Sequence, residues 1–135
     1  METWGFGNFE NDSAIDWLMD FAEEPSLEKI RSAFNMIEDS EGMAESLDCE
    51  EALVAAEVVA LLCGATSGEF PEEELELINN SGFKCSADLT ANAIEIIQKI
   101  KQNSELKELW DESNETEQWL EEVNELEQRL VAISR

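Results

Sequence analysis

From residue 12 onward, hydrophobic positions in this 135-residue chain recur at three- and four-residue intervals, and no stretch alternates with the period of two that marks a half-buried strand. The pattern predicts six to seven helices. Residues 48–64, Asp-Cys-Glu-Glu-Ala-Leu-Val-Ala-Ala-Glu-Val-Val-Ala-Leu-Leu-Cys-Gly, are apolar around nearly the whole circumference, with Glu50, Glu51 and Glu57 as the interruptions after Asp48. A helix apolar on most sides belongs inside a protein or inside a membrane. This one falls short of the about 20 residues that span a bilayer, and Glu57 breaks it, so it reads as a buried core helix. Asp48 with Glu51 three residues on suggests a capping pair at its start, and Gly64 a left-handed stop.

The flanking segments are amphipathic. Asn11 or Asp12 caps a first helix to about Ala22, with Ala14, Ile15, Leu18, Phe21 and Ala22 on one face and Asp12, Asp16 and Asp20 on the other. Pro25 and Ser26 open a second that carries Ile30, Ala33, Phe34 and Ile37, followed by an acidic loop at 39–47. After the central helix, 65–70 make a turn, and Pro71 starts a short acidic helix to about Ile78 that ends at Asn79, Asn80 and Gly82. Ser86 or Asp88 caps a fifth helix bearing Leu89, Ala93, Ile96, Ile97 and Ile100. Ser104 begins a sixth with Leu106, Leu109 and Trp110 inward. The last, from about Glu115 to Ile133, buries Trp119, Val123, Leu126, Leu130 and Ile133. Residues 1–10 read as an irregular lead-in, with Gly5 and Gly7 in tight turns and Trp4 and Phe9 docked on the body. The expectation is one all-α domain over 1–135, a compact orthogonal bundle around the apolar helix at 48–64.

Charge narrows the partners. The chain has 33 acidic and 8 basic residues, a net charge of −25. Such a surface repels nucleic-acid phosphates and anionic lipid head groups, so neither nucleic acid nor membrane is expected as a partner. Glu outnumbers Asp by 26 to 7, and because Glu is the better helix former, helix formation accounts for much of that choice. With no histidine, His-based triads, Cys–His pairs and His-containing zinc sites are all excluded. Cys49, Cys63 and Cys85 form no Cys-x-x-Cys pair, and along one helix Cys49 and Cys63 stand about 21 Å apart. An odd, scattered set suits a reducing compartment, with the thiols as buried small hydrophobes. Glu2 stands where a signal peptide carries a base, and no apolar run follows, so a cytoplasmic location is expected.

The opening Trp4-Gly5-x-Gly7-x-Phe9-x-Asn11-Asp12-x-Ala14-x-Asp16-Trp17 resembles the signature of the bacterial family known as domain of unknown function 4259 (DUF4259). Ala55-Ala56-Glu57-Val58-Val59-Ala60 and Ser104-Glu105-Leu106-Lys107-Glu108-Leu109-Trp110 are similar to later stretches of that family at the expected spacing, so the resemblance covers essentially the whole chain. Glu2 departs from the small residue usual there. The resemblance implies a small, acidic, mostly helical bacterial protein, with no activity, catalytic residue or cofactor to carry over. Similar small acidic bacterial proteins often serve as immunity partners of toxins, which is a class analogy.

Four constellations carry candidate chemistry. Gly5-x-Gly7 lacks the preceding strand and the third glycine of a dinucleotide loop, position 10 being Glu10, and reads as turn glycines. Asp12, Asp16 and Asp20 lie along a straight helix face and diverge, whereas calcium needs six or more converging oxygens. Glu57 amid Ala and Val is the one carboxylate placed to be a buried acid or base. It shares a narrow polar stripe with Glu50 that reaches water or a neighbouring helix, and a structural contact to the Trp4–Asn8 lead-in is the expected role. Between Glu105 and Glu127 ten carboxylates meet one lysine. There Glu117, Glu121 and Glu125 form a four-residue ladder whose mutual repulsion a cationic partner would relieve. The resulting expectation is a non-catalytic acidic protein-binding module of immunity or antitoxin type. It would neutralise a basic partner, a toxin or nuclease, through Glu117, Glu121, Glu125, Asp12, Asp16 and Asp20, with no metal and no cofactor. The alternatives are a small-molecule enzyme or metal-binding protein centred on Glu57 and the first helix's aspartates, and a structural adaptor.

Overall fold

The computed structural model describes residues 5–134, so the expected docking of Trp4 lies outside the described residues. Seven helices follow one another: α1 (Asp12–Glu23), α2 (Leu27–Glu38), α3 (Ser46–Leu62), α4 (Glu72–Asn79), α5 (Ala87–Gln102), α6 (Glu105–Glu112) and α7 (Thr116–Ser134). Among the described residues there is no strand, and an isolated bridge pairs Ala44 with Ser104. The all-α expectation holds.

The α3 helix is the axis, packed against α1, α2, α5, α6 and α7. Every residue from Ala52 to Leu61 is buried, Glu57 included. Ala52, Ala55, Ala56 and Ala60 have short side chains, which allow neighbouring helices to approach closely. Around α3 close Ala14, Leu18 and Phe21 of α1, Ile30, Phe34 and Ile37 of α2, Ile96, Ile97 and Ile100 of α5, and Val123, Leu126 and Leu130 of α7. Leu109, in the middle of α6, and Ile133, in the last turn of α7, were expected inside and are half-buried.

The ends of α3 differ in legibility. Its C-terminus closes as expected: Gly64 has φ +83°, its N–H donates to Leu61 O (3.1 Å), and Ala65 N donates to Ala60 O (2.8 Å). This left-handed closure satisfies carbonyls the helix leaves open. The N-terminus corrects the expectation. The helix begins at Ser46, so Asp48 falls inside the first turn, where it favours the helix dipole but caps nothing. The terminal N–H of Ser46 is instead met by Glu105 Oε1 (3.1 Å) from the start of α6, and Glu105 N donates to Ala44 O (2.9 Å).

The cysteines also depart from expectation. Cys63 and Cys85 are joined by a disulfide, and Cys49 alone is free. Two of the three thiols are therefore a cross-link between the end of α3 and the approach to α5, not small apolar fillers. The reducing-compartment reading built on them loses that support.

Candidate functional site

The lead-in from residue 5 to 11 is shaped by its glycines. Gly7 N donates to Glu10 Oε1 (3.2 Å) and Glu10 N returns to Gly7 O (3.0 Å). A Cβ on Gly5 or Gly7 would meet the Glu10 carboxylate, which would have to swing aside and give up this contact. The turn buries Asn8 and Phe9, and Phe9 packs edge-on against Phe70 with ring centroids 5.0 Å apart.

Asn8 is thereby carried to Glu57. Its Nδ2 donates to Glu57 Oε2 (2.9 Å), the contact the sequence suggested for the lead-in. The polar stripe does not reach water, since Glu50 and Glu57 are both buried. Glu57, 2% exposed, is compensated by Arg129 of α7, whose Nη1 reaches Oε1 at 3.0 Å and Nη2 reaches Oε2 at 2.9 Å. A carboxylate in such surroundings requires a fork of this kind, because an unpaired buried charge is costly. Four of the five Arg129 N–H groups are thereby used, since Nη1 also donates to Ala65 O (2.9 Å) and Nε to Glu125 Oε2 (2.6 Å). Burial alone would lower the Arg129 pKa, but the hydrogen bonds to Glu57 and Glu125 override it and push the pKa up. The guanidinium is held by these contacts and stays charged.

Above this pair lies a groove of about 420 Å³, floored by Asn8, Glu57 and Arg129 and walled by Thr66–Glu69 on one side and Glu122 and Glu125 on the other. Glu69 and Glu122 have no ion pair among the described residues. Burial first, then the charges of Glu69, Glu10, Glu125 and Glu57, push the Glu122 pKa up. Asn8 Oδ1 is buried and has no donor. The groove therefore offers acceptors and negative charge in surplus of its one cation. Its chemistry fits a positively charged hydrogen-bond donor and opposes an anion.

The residues expected as a partner surface fall in two places. Glu125 lies in the groove wall, and Glu117 and Glu121 continue its ladder, exposed, toward the start of α7. Asp12, Asp16 and Asp20 are exposed on α1, which packs on α3 and α4, whereas α7 packs on α5, α3 and α6. Asp20 is paired with Lys29 (3.2 Å). None of the three lines the groove over Glu57, and among the described residues no group of three or more His, Cys, Asp or Glu side chains is placed to hold a metal ion.

Sequence reasoning missed Asn8 Oδ1, Glu69, Glu122 and Arg129. The last had a signal: Glu125 and Arg129 stand four apart in a stretch poor in bases, the spacing of a helical ion pair. A smaller cavity of about 10 Å³, room for one water, lies by Glu50 between Asn11, Leu53, Trp110 and Trp119.

Fold and groove together define an acidic all-α bundle organised on a buried helix, with a polar cluster where the lead-in, the 65–70 turn and α7 meet. The chain belongs to the family described as Domain of unknown function (DUF4259), which matches residues 2–122; Glu125 and Arg129 lie beyond the matched span. No curated protein and no solved structure matches the chain.

Proposed function

We propose that the protein is a non-catalytic binding module that neutralises a basic protein, in the manner of an immunity protein or antitoxin facing a toxin or nuclease. The observation that carries this reading is the groove, in which Glu69 and Glu122 stand without an ion pair among the described residues while Arg129 is already engaged by Glu57, Glu125 and Ala65. A Lys or Arg head of the partner fits there, donating to the carboxylates. The exposed Glu117 and Glu121 extend the anionic field outward and speed encounter, while the groove sets retention. The α7 side is the contacting face in this reading, and the aspartates of α1 act at longer range. The encounter is placed in the cytoplasm. No helix of the described residues is long and apolar enough to cross a membrane.

An arginine-rich peptide serves as the probe, with binding followed by calorimetry at low and moderate salt. The double variant Glu69→Gln/Glu122→Gln is expected to weaken binding by about tenfold. The control Glu73→Gln/Glu76→Gln, which removes two exposed charges on α4, should change it far less. Equal losses in the two variants would reduce the groove to diffuse charge, and no binding at low salt would end the reading.

A further inference from the structure

We propose that the Cys63–Cys85 disulfide is a thiol-sensitive latch on the groove wall: oxidation holds the wall in its binding shape and reduction loosens it. The proposal rests on the groove being the partner site.

The cross-link joins residues 22 apart in sequence. Cys63 ends α3, and Cys85 lies in the connection just before Ser86, the cap of α5. Between them runs the segment that builds the wall. Ala65 accepts the Arg129 hydrogen bond, and Thr66–Glu69 line the groove. Phe70 packs on Phe9, next to Asn8. The rest of the segment is lightly anchored, since α4 buries Ile78 alone among its eight residues. Closing both ends of such a segment onto α3 and α5 restricts the open conformations available to it.

The chemistry is accessible and confined to one pair. Cys85 is exposed and Cys63 half-buried, so a small dithiol or a dithiol-bearing reductase reaches the bond. A thiolate of the reductant attacks the exposed Cys85 sulfur and Cys63 leaves. The second thiolate of the reductant then displaces Cys85, and the reductant departs as a disulfide. Two electrons and two protons end on the two cysteines. The reduced Cys63 thiol has a partner waiting, Thr90 Oγ1 at 3.6 Å. Cys49 takes no part: it is fully buried and its thiol is pushed up to about 12, chiefly by burial. Cross-links of this exposed kind are the ones a cytoplasmic thiol pool opens and closes.

The test uses the full chain, air-oxidised or treated with dithiothreitol. Alkylation under denaturing conditions is expected to find one thiol in the oxidised form and three in the reduced. Three thiols in the oxidised form would overturn the proposal. On reduction, amide hydrogen exchange across 65–70 should accelerate by about tenfold, and the arginine-rich peptide should bind severalfold more weakly. Cys63→Ser/Cys85→Ser should resemble the reduced chain and ignore dithiothreitol, while Cys49→Ser should keep the response. Unchanged exchange at 65–70, or equal peptide affinity in the two redox forms where the peptide binds, would refute the latch. Failure of the peptide to bind either form would refute the groove reading instead, and the exchange measurement would still decide the latch.

Discussion

A carboxylate surrounded by alanine and valine survives only with its charge answered, and Glu57 is answered by two nitrogens of Arg129 and one of Asn8. Removing one partner leaves the other charge stranded, so Arg129→Met is expected to lower stability by about 3–5 kcal/mol. Adding Glu57→Leu to that variant should restore a large part, because an apolar pair has no charge to desolvate. Urea unfolding of the two variants checks both; a double variant no more stable than Arg129→Met would contradict it. Glu50 behaves differently, having no ion pair among the described residues. Burial above all, reinforced by Asp12 and Glu51, raises its pKa from 4.5 to about 7. Between those values the folded chain holds a proton that the unfolded chain has released, so this contribution is whole below pH 4.5 and fades as pH rises through 7. Thermal midpoints should therefore be higher at pH 5 than at pH 8, and Glu50→Gln should narrow that difference. An identical pH profile in the variant would exclude Glu50 as its source. At this scale the sequence showed that Glu57 was singular. It did not show Arg129 as the answer, because their partnership crosses 72 positions of chain.

Helix starts depend on single side chains, and three of them were legible in the sequence, Ser104 outright and Asn11 and Ser86 each as one of two candidates. Asn11, Ser86 and Ser104 each stand before an apolar-periodic run, and each accepts from the backbone N–H three residues on. Ser104 does more: its hydroxyl also donates to Ile100 O (2.8 Å), so one buried group closes α5 and opens α6. Ser104→Ala should cost about 1–2 kcal/mol by loss of the cap and of a buried hydrogen bond. Chemical denaturation measures it, and a change below a few tenths would show that the junction is held by its neighbours alone. The start of α3 was not readable in the same way. Its first N–H is met by Glu105, 59 residues away, and no local pattern announces such a donor–acceptor pair. The Cys63–Cys85 bond was hidden for a related reason: its closure is decided by how the whole segment between them folds back, not by the spacing of the cysteines.

For the whole molecule, period and hydrophobicity carried the architecture. Five amphipathic helices bury their stripes on the apolar circumference of α3, with α4 packed outside them on α1, so the bundle and its centre followed from the pattern. The groove did not follow, because it is made by three segments whose meeting depends on helix packing angles that no periodicity encodes. The bases are consumed largely in holding the molecule together: Lys29, Lys101, Lys107 and Arg129 form ion pairs, and Lys99 donates to Ile37 O and Ser40 across to α2. What faces solvent is thus more uniformly negative than the composition alone conveys.

The union of Asn8, Glu57 and Arg129 has a consequence for how the molecule is made. It draws together side chains from before α1, from α3 and from α7, so on the ribosome the pocket has no floor until α7 has emerged. Nascent chains hold the carboxylate of Glu57 without its counter-ion. The counter-ion arrives only when α7 docks.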